Sequence, residues 1–172
     1  MINRFEIRDD KVAMFLDNKD GIVLETIIDK DDFEKVNAIN YKWHALKAKN
    51  SHLYYVRTNI LRNGKRITIF LHRLLVNCPK GLEVDHINLN TLDNTRKNLR
   101  IATRAENNQN RSVSVANKSG FRGVNWSATC GKWEANISVG GKQTRLGFFD
   151  DIHKAAQVAH EARKKLMPYY VY

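Results

Sequence analysis

Cysteine is nearly absent from this chain. Cys78 and Cys130 stand alone among 172 residues, without C-x-x-C spacing, which excludes a disulfide framework and a four-cysteine zinc site. Long apolar runs are missing too. None approaches the roughly 18 residues that span a bilayer, and the opening residues, Met1 to Asp10, lack an apolar secretory core, so no signal peptide is expected. Acidic residues become scarce after the first fifth of the chain. Residues 1–34 hold ten acidic side chains and five basic ones, whereas the remainder hold eight and 24, a net of +16 within a total of +11. An excess of that size points to a polyanion partner, because each Lys or Arg on a phosphate releases condensed counterions. Membrane-surface binding is disfavoured, since the basic residues are dispersed and no strongly amphipathic basic helix carries them.

What is present fits a folded chain. A hydrophobic content of 42% with 27% charged residues argues against wholesale disorder. The length allows one core or two or three small modules. Phe5-Glu6-Ile7, Val12 to Leu16 and Gly21 to Leu24 read as strands, and Asp31 to Val36 as a short helix with acids at its N-terminal end. Leu53 to Arg57 and Arg66 to Leu71 flank an Asn63-Gly64 turn, a hairpin signal. Residues 112–120 are small and polar and read as a linker. The expected class is α+β, divided into a mixed β/α segment over residues 1–52, a central domain over 53–114 and a C-terminal module over 115–172.

Candidate chemistry concentrates between residues 81 and 111. Val84-Asp85-His86 ends a short apolar run, Leu99 to Ala102 gives a second strand, and Thr103-x-x-Glu106 is a capping box that starts a helix. Strand, loop, strand and helix would bring Asp85, His86, Asn98 and Asn107 together. These residue types suit phosphodiester hydrolysis: Asp and Asn oxygens hold a hard divalent cation, and a neutral imidazole takes a proton from water. On spacing alone, Asp-His followed by scattered Asn also fits ordinary turn chemistry.

Residues 70–111 resemble the HNH, or ββα-metal, nucleases of phage and intron homing endonucleases. Leu71-His72-Arg73-Leu74, Val84-Asp85-His86, Asp93-Asn94, Asn98-Leu99-Arg100 and Asn107 carry the resemblance. It implies that His86 is the general base and that Asn98 orients it. It also implies that Asp85 and Asn107 hold one divalent cation per site, Mg2+ or Mn2+. Asn107 stands where many members place a histidine, and Asn108 and Asn110 are close alternatives for that ligand. His72 suits a hydrogen-bonded histidine at a strand end or a direct catalytic role, and Arg73 meets either a phosphate or a surface carboxylate. His44, His52, His153 and His160 lack partners at ligand spacing and read as structural or surface residues.

The tail has its own pattern. Trp133, Ala135, Ile137 and Val139 alternate with polar residues, Gly140-Gly141 turns the chain, and Asp150 or Asp151 caps a helix. A three-stranded antiparallel sheet on one helix follows, with a polar sheet face left over. Gly120-Phe121-Arg122-Gly123-Val124, Trp133-x-Ala135-x-Ile137, Leu146-Gly147-x-Phe149 and the Ala155-Ala156-x-x-Ala159 helix resemble the AP2 domain. In that family the polar sheet face lies in the major groove. The resemblance places DNA-facing positions at Arg122, Asn125, Ser127, Asn136, Ser138, Gln143 and Arg145, to which Arg73 is added from the nuclease part. Trp133 and Ile137 read as core, and Trp126 either stacks on the sugar-phosphate backbone or packs on the sheet.

Together the two resemblances imply a site-directed DNA endonuclease of homing type, intracellular and cytoplasmic, acting on double-stranded DNA with no membrane partner and allowing a homodimer. The alternative is a non-catalytic DNA-binding regulator that works through the AP2-like part. Residues 1–52 match no motif. They either extend the DNA-gripping platform or complete the nuclease core.

Overall fold

The computed structural model describes residues 3–17, 21–49, 51–113 and 116–171. The chain divides into two compact units, residues 1–103 and 104–172. The α+β class holds, as several small antiparallel sheets with few helices. The expected boundaries at 52/53 and 114/115 differ from this division, and the packing of each unit gives the reason.

In the first unit, β1 (Phe5–Arg8), β2 (Lys11–Asp17) and β3 (Val23–Asp29) form one antiparallel sheet. A 3-10 turn over Lys30–Asp32 leads into the short helix α1 (Phe33–Asn37). A second sheet contains β4 (His44–Lys47), β5 (Tyr54–Arg62) and β6 (Lys65–Phe70). Its hairpin turns at Asn63 and Gly64, whose φ values of 52° and 71° are the two left-handed residues that a tight hairpin demands. Strand β6 runs directly into α2 (Leu71–Leu75), and β7 (Glu83–His86) pairs with β8 (Leu99–Ala102) as a two-stranded ribbon.

One core joins these pieces. Val12, Met14 and Leu16 alternate along β2 and pack with Trp43, Val56, Leu71, Leu75, Val84 and Leu99. The N-terminal sheet also grips the loop between β7 and β8. Thr26 Oγ1 donates to Leu92 O at 2.7 Å, Ile27 N to Leu92 O at 3.0 Å, and Asn94 N to Ile27 O at 2.8 Å. Arg96 closes the grip with a two-pronged contact, Nε to Asp32 Oδ2 at 2.8 Å and Nη2 to Asp32 Oδ1 at 2.6 Å. The Asp32 side chain is only 2% exposed, and that fork is its ion-pair partner. Asp32→Ala is expected to destabilise the unit by about 1.5–3 kcal/mol, the usual worth of hydrogen bonds to a charged group. Urea unfolding would read this, and an unchanged midpoint would show the fork contributes nothing.

The second unit contains α3 (Arg104–Asn107), β9 (Val124–Ser127), β10 (Lys132–Val139), β11 (Lys142–Phe149) and α4 (Ile152–Leu166). Its sheet has the order β11-β10-β9. Asp151 caps α4, accepting from Lys154 N at 2.7 Å. Ala155 and Ala159 are fully buried against Val124 and Ala135, small residues that let the helix approach the sheet closely. The boundary falls before α3 because the backbone after that helix is tied to the sheet module. Arg122 donates to the carbonyls of Asn108, Gln109 and Arg111, and Tyr169 N donates to Gln109 Oε1. Residues 114–115 of the expected linker lie outside the described residues. Its last part is ordered: Ser119 Oγ donates to Val124 O at 2.7 Å, and Gly120 N to Asn117 Oδ1 at 2.8 Å.

Candidate active site

His86 ends β7 and is only 4% exposed. Asn94 Oδ1 lies 3.3 Å from its Nε2. The amide's orientation follows from its other end, because Asn94 Nδ2 donates to Thr26 Oγ1 at 2.9 Å and to Thr91 O at 3.4 Å. An amide oxygen can only accept, so Nε2 carries the proton and Nδ1 is the basic nitrogen. Burial pushes His86 below the ordinary imidazole value, opposed first by the Asn94 hydrogen bond and then by Asp85 and Asp93. A ring cage surrounds it: the His72 ring stands 5.3 Å away edge-on, and Tyr55 lies 6.2 Å away.

The side chain of Asn98 is engaged elsewhere. Its Oδ1 accepts from Asn88 N at 2.8 Å, and its Nδ2 donates to Asp93 O at 2.7 Å. Asn98 therefore clamps both ends of the loop that carries Asn94. Asn94 is buried to 1% exposure and is the asparagine placed at the imidazole.

Asp85, 3% exposed, stands opposite Arg100 in the ribbon, and Arg100 Nε donates to Asp85 Oδ2 at 2.7 Å. This pairing fixes the direction of the carboxylate. Among the described residues no cluster of three or more His, Cys, Asp or Glu could hold a metal. The donor chemistry fits a hard cation that takes one carboxylate and an amide oxygen and fills its shell with water and phosphate, as magnesium does. Asn107, half-buried, ends α3 and belongs to the second unit, as do Asn108 and Asn110.

Among the described residues His72 has no hydrogen-bond partner at its buried Nδ1, and it sits between the Tyr55, Phe70 and His86 rings. Burial, with His86 and Arg73 adding repulsion, pushes it from 6.5 down to about 3. The unfolded chain therefore binds a proton that the fold refuses. His72 contributes fully above about pH 6.5, and its contribution drains as pH falls toward about 3, at up to about 1.4 kcal/mol per pH unit. His72→Phe is expected to flatten the loss of stability between pH 7 and pH 5, read by urea unfolding at each pH. An unchanged slope would mean that His72 is protonated in the folded chain.

Arg73 is spent on its own loop, donating to Leu82 O at 2.7 Å and Pro79 O at 3.0 Å. In the second unit, strand pairing puts Asn125, Ser127, Asn136, Ser138, Gln143 and Arg145 on one sheet face. Asn125 opposes Glu134, Ser127 opposes Lys132, Asn136 opposes Arg145 and Ser138 opposes Gln143. Arg145 on that face donates to Glu134 Oε1 at 2.8 Å. Arg122 stands apart from it, on the carbonyls of Asn108, Gln109 and Arg111. Trp126 pairs with Trp133 on the other side of the sheet, the rings edge-on at 5.1 Å.

Sequence reasoning gave no role to Asn94 or Arg100, although both lie in quoted motifs. The antiparallel register of Val84-Asp85-His86 against Leu99-Arg100-Ile101 carries the signal for Arg100, since opposite charges pair across strands. Nothing in the sequence signals Tyr55 at the imidazole.

The sequence pattern of the HNH endonuclease family matches residues 77–109, the span of β7, the loop, β8 and α3. The chain is 38% identical over 86 residues to protein 3.8 of Escherichia phage T7, covering 50% of this chain and 71% of that protein. It is 41% identical over 87 residues to an uncharacterised HNH endonuclease of Acanthamoeba polyphaga mimivirus, covering 49% of this chain and 42% of that one. No solved structure matches. Among the described residues no helix is long and apolar enough to cross a membrane. With a buried Asp-His pair ending the first strand of a β-ribbon and the HNH pattern laid over it, the chain belongs to the family of phage T7 protein 3.8 and is an HNH endonuclease, a nuclease that acts on DNA.

Proposed function

We propose that this endonuclease is metal-dependent and site-directed, of the homing type, with His86 as its general base. The observation that carries this is the contact between Asn94 Oδ1 and His86 Nε2 inside a buried ring cage. It sets the tautomer in which Nδ1 takes the proton of an attacking water, and burial keeps the imidazole neutral for that task. Asn98 positions the base indirectly, by holding the loop that delivers Asn94. Asp85 and Asn107 are the proposed holders of one Mg2+ or Mn2+. When bound, the cation neutralises charge developing on the scissile phosphate and the leaving oxygen. Arg100, beside Asp85, supplies a further cation to a phosphate that approaches this carboxylate.

The C-terminal module is proposed to be AP2-like and to read duplex DNA through its outer sheet face. Asn125, Ser127, Asn136, Ser138, Gln143 and Arg145 share that face, and a small antiparallel sheet fits the major groove. One centre per chain cuts one strand per visit, so a double-strand break needs two copies or a second visit.

Supercoiled plasmid incubated with Mg2+ is expected to relax, and the reaction should stop on chelation. Sequencing of the cleaved ends from a random-target library should show a preferred site. Persistent supercoils with retained DNA binding would overturn a catalytic role, and evenly scattered ends would overturn site direction. Asn107→Ala is expected to raise the magnesium concentration needed for half-maximal cleavage. An unchanged magnesium titration would move this ligand to Asn108 or Asn110.

A further inference from the structure

The second unit carries a cleft with a volume of about 360 Å³ on the helix side of its sheet, remote from the polar sheet face. Gln157, His160 and Arg163 of α4 line it, together with Phe121, Arg122 and Tyr170, and no lining residue is acidic. Two arginines therefore line one cleft, and no carboxylate side chain stands among the described residues of its lining.

Arg163 is the more unusual of the two. The residue is 5% exposed, yet its Nη1 donates only to Arg122 O, at 2.8 Å, and its buried Nε has no acceptor among the described residues. Its Cζ lies 5.2 Å from the Tyr170 ring centroid, a cation–π contact. The backbone makes room for it. Gly123 has φ of +73°, and a Cβ there would clash with Asn136 O and come within 3.0 Å of Arg163 Nη1. Arg122 meets only carbonyl oxygens, and burial followed by repulsion from Arg163 pulls it below the ordinary guanidinium range. Buried cations are ordinarily paired, because an uncompensated charge in a low-dielectric setting is costly. Arg163, buried with its Nε–H unused among the described residues, and the half-buried Arg122 beside it form a ready anion site, and the guanidinium fork matches phosphate oxygens best.

We propose that the Arg122–Arg163 cleft binds a phosphate group. The phosphate belongs either to the backbone of bound duplex or to a free phosphate compound, and the chemistry at the arginines is the same. The proposal is independent of how His86 acts, and its test needs no cleavage.

The full chain would be titrated with inorganic phosphate in a chelating buffer at constant ionic strength, and its thermal midpoint compared with that in chloride. Gln157 is exposed on α4, and Glu and Lys are both good helix formers, so Gln157→Glu and Gln157→Lys leave the fold intact. Wild type and Gln157→Lys are expected to gain stability in phosphate beyond that in chloride. Gln157→Glu, which puts a carboxylate at the cleft, is expected to weaken phosphate binding by about tenfold. If duplex supplies the phosphate, inorganic phosphate competes with duplex in binding assays. Gln157→Glu then takes about one unit off the slope of log affinity against log salt. If a free compound supplies it, Gln157→Glu loses the phosphate response and keeps duplex affinity. No gain in phosphate, or a gain of equal size in all three proteins from general exclusion of the anion, would overturn the proposal and leave the arginines as tethers of backbone carbonyls.

Discussion

His86→Ala is expected to slow DNA hydrolysis by about 10²–10⁴ while leaving DNA affinity close to unchanged, since general-base assistance has that worth. The substitution removes the proton acceptor and no phosphate-binding cation. It also leaves the packing of Tyr55 and His72 partly in place, because those rings contact each other at 5.7 Å without His86. The measurement is single-turnover cleavage with duplex binding determined in parallel under chelation. A variant that cuts within a few-fold of wild type would remove His86 from the chemistry, and a parallel loss of binding would make it a structural residue instead.

Asn94→Ala is expected to lower kcat by about 10–100-fold, the usual cost of losing a residue that orients a functional histidine. Its amide makes two kinds of contact. Oδ1 faces His86 Nε2 at 3.3 Å, and Nδ2 reaches Thr26 Oγ1 at 2.9 Å on β3. The alanine therefore also unties the loop from the N-terminal sheet, at about 1–3 kcal/mol for a buried pair left half satisfied. Asn94→Asp keeps an acceptor at Nε2 and is expected to retain more of kcat than Asn94→Ala. Asn98→Ala breaks the clamps on Asn88 and Asp93, and its loss should appear chiefly in stability. If Asn98→Ala lowered kcat as steeply while Asn94→Ala did not, the orienting role would pass to Asn98.

Local patterns made much of this protein legible in its sequence. The Asn63-Gly64 hairpin, the alternation from Trp133 to Ile137, the Asp151 cap and the α4 helix each depend on backbone and side-chain preferences within a few residues. The Asp85-His86 pair and the loop after it were legible for the same reason. They form one short ribbon whose two strands are only a dozen residues apart, and the HNH pattern covers it.

Tertiary structure alone decided what holds that ribbon and which partners its residues meet. Contacts between Thr26 and Asn94, Asp32 and Arg96, and Tyr55 and His86 join positions 31 to 68 residues apart, beyond the reach of any local pattern. Through Thr26 and Asp32 the N-terminal sheet and the turn after it hold the active-site loop. Two neighbouring asparagines with equal chemistry, Asn94 and Asn98, likewise cannot be ranked until the loop's curvature points one at the imidazole and turns the other onto the backbone. Arg122 shows the same limit. Its motif resembles one in a DNA-reading module, but the fold directs its fork onto the carbonyls of Asn108, Gln109 and Arg111, which the chain after α3 brings within its reach.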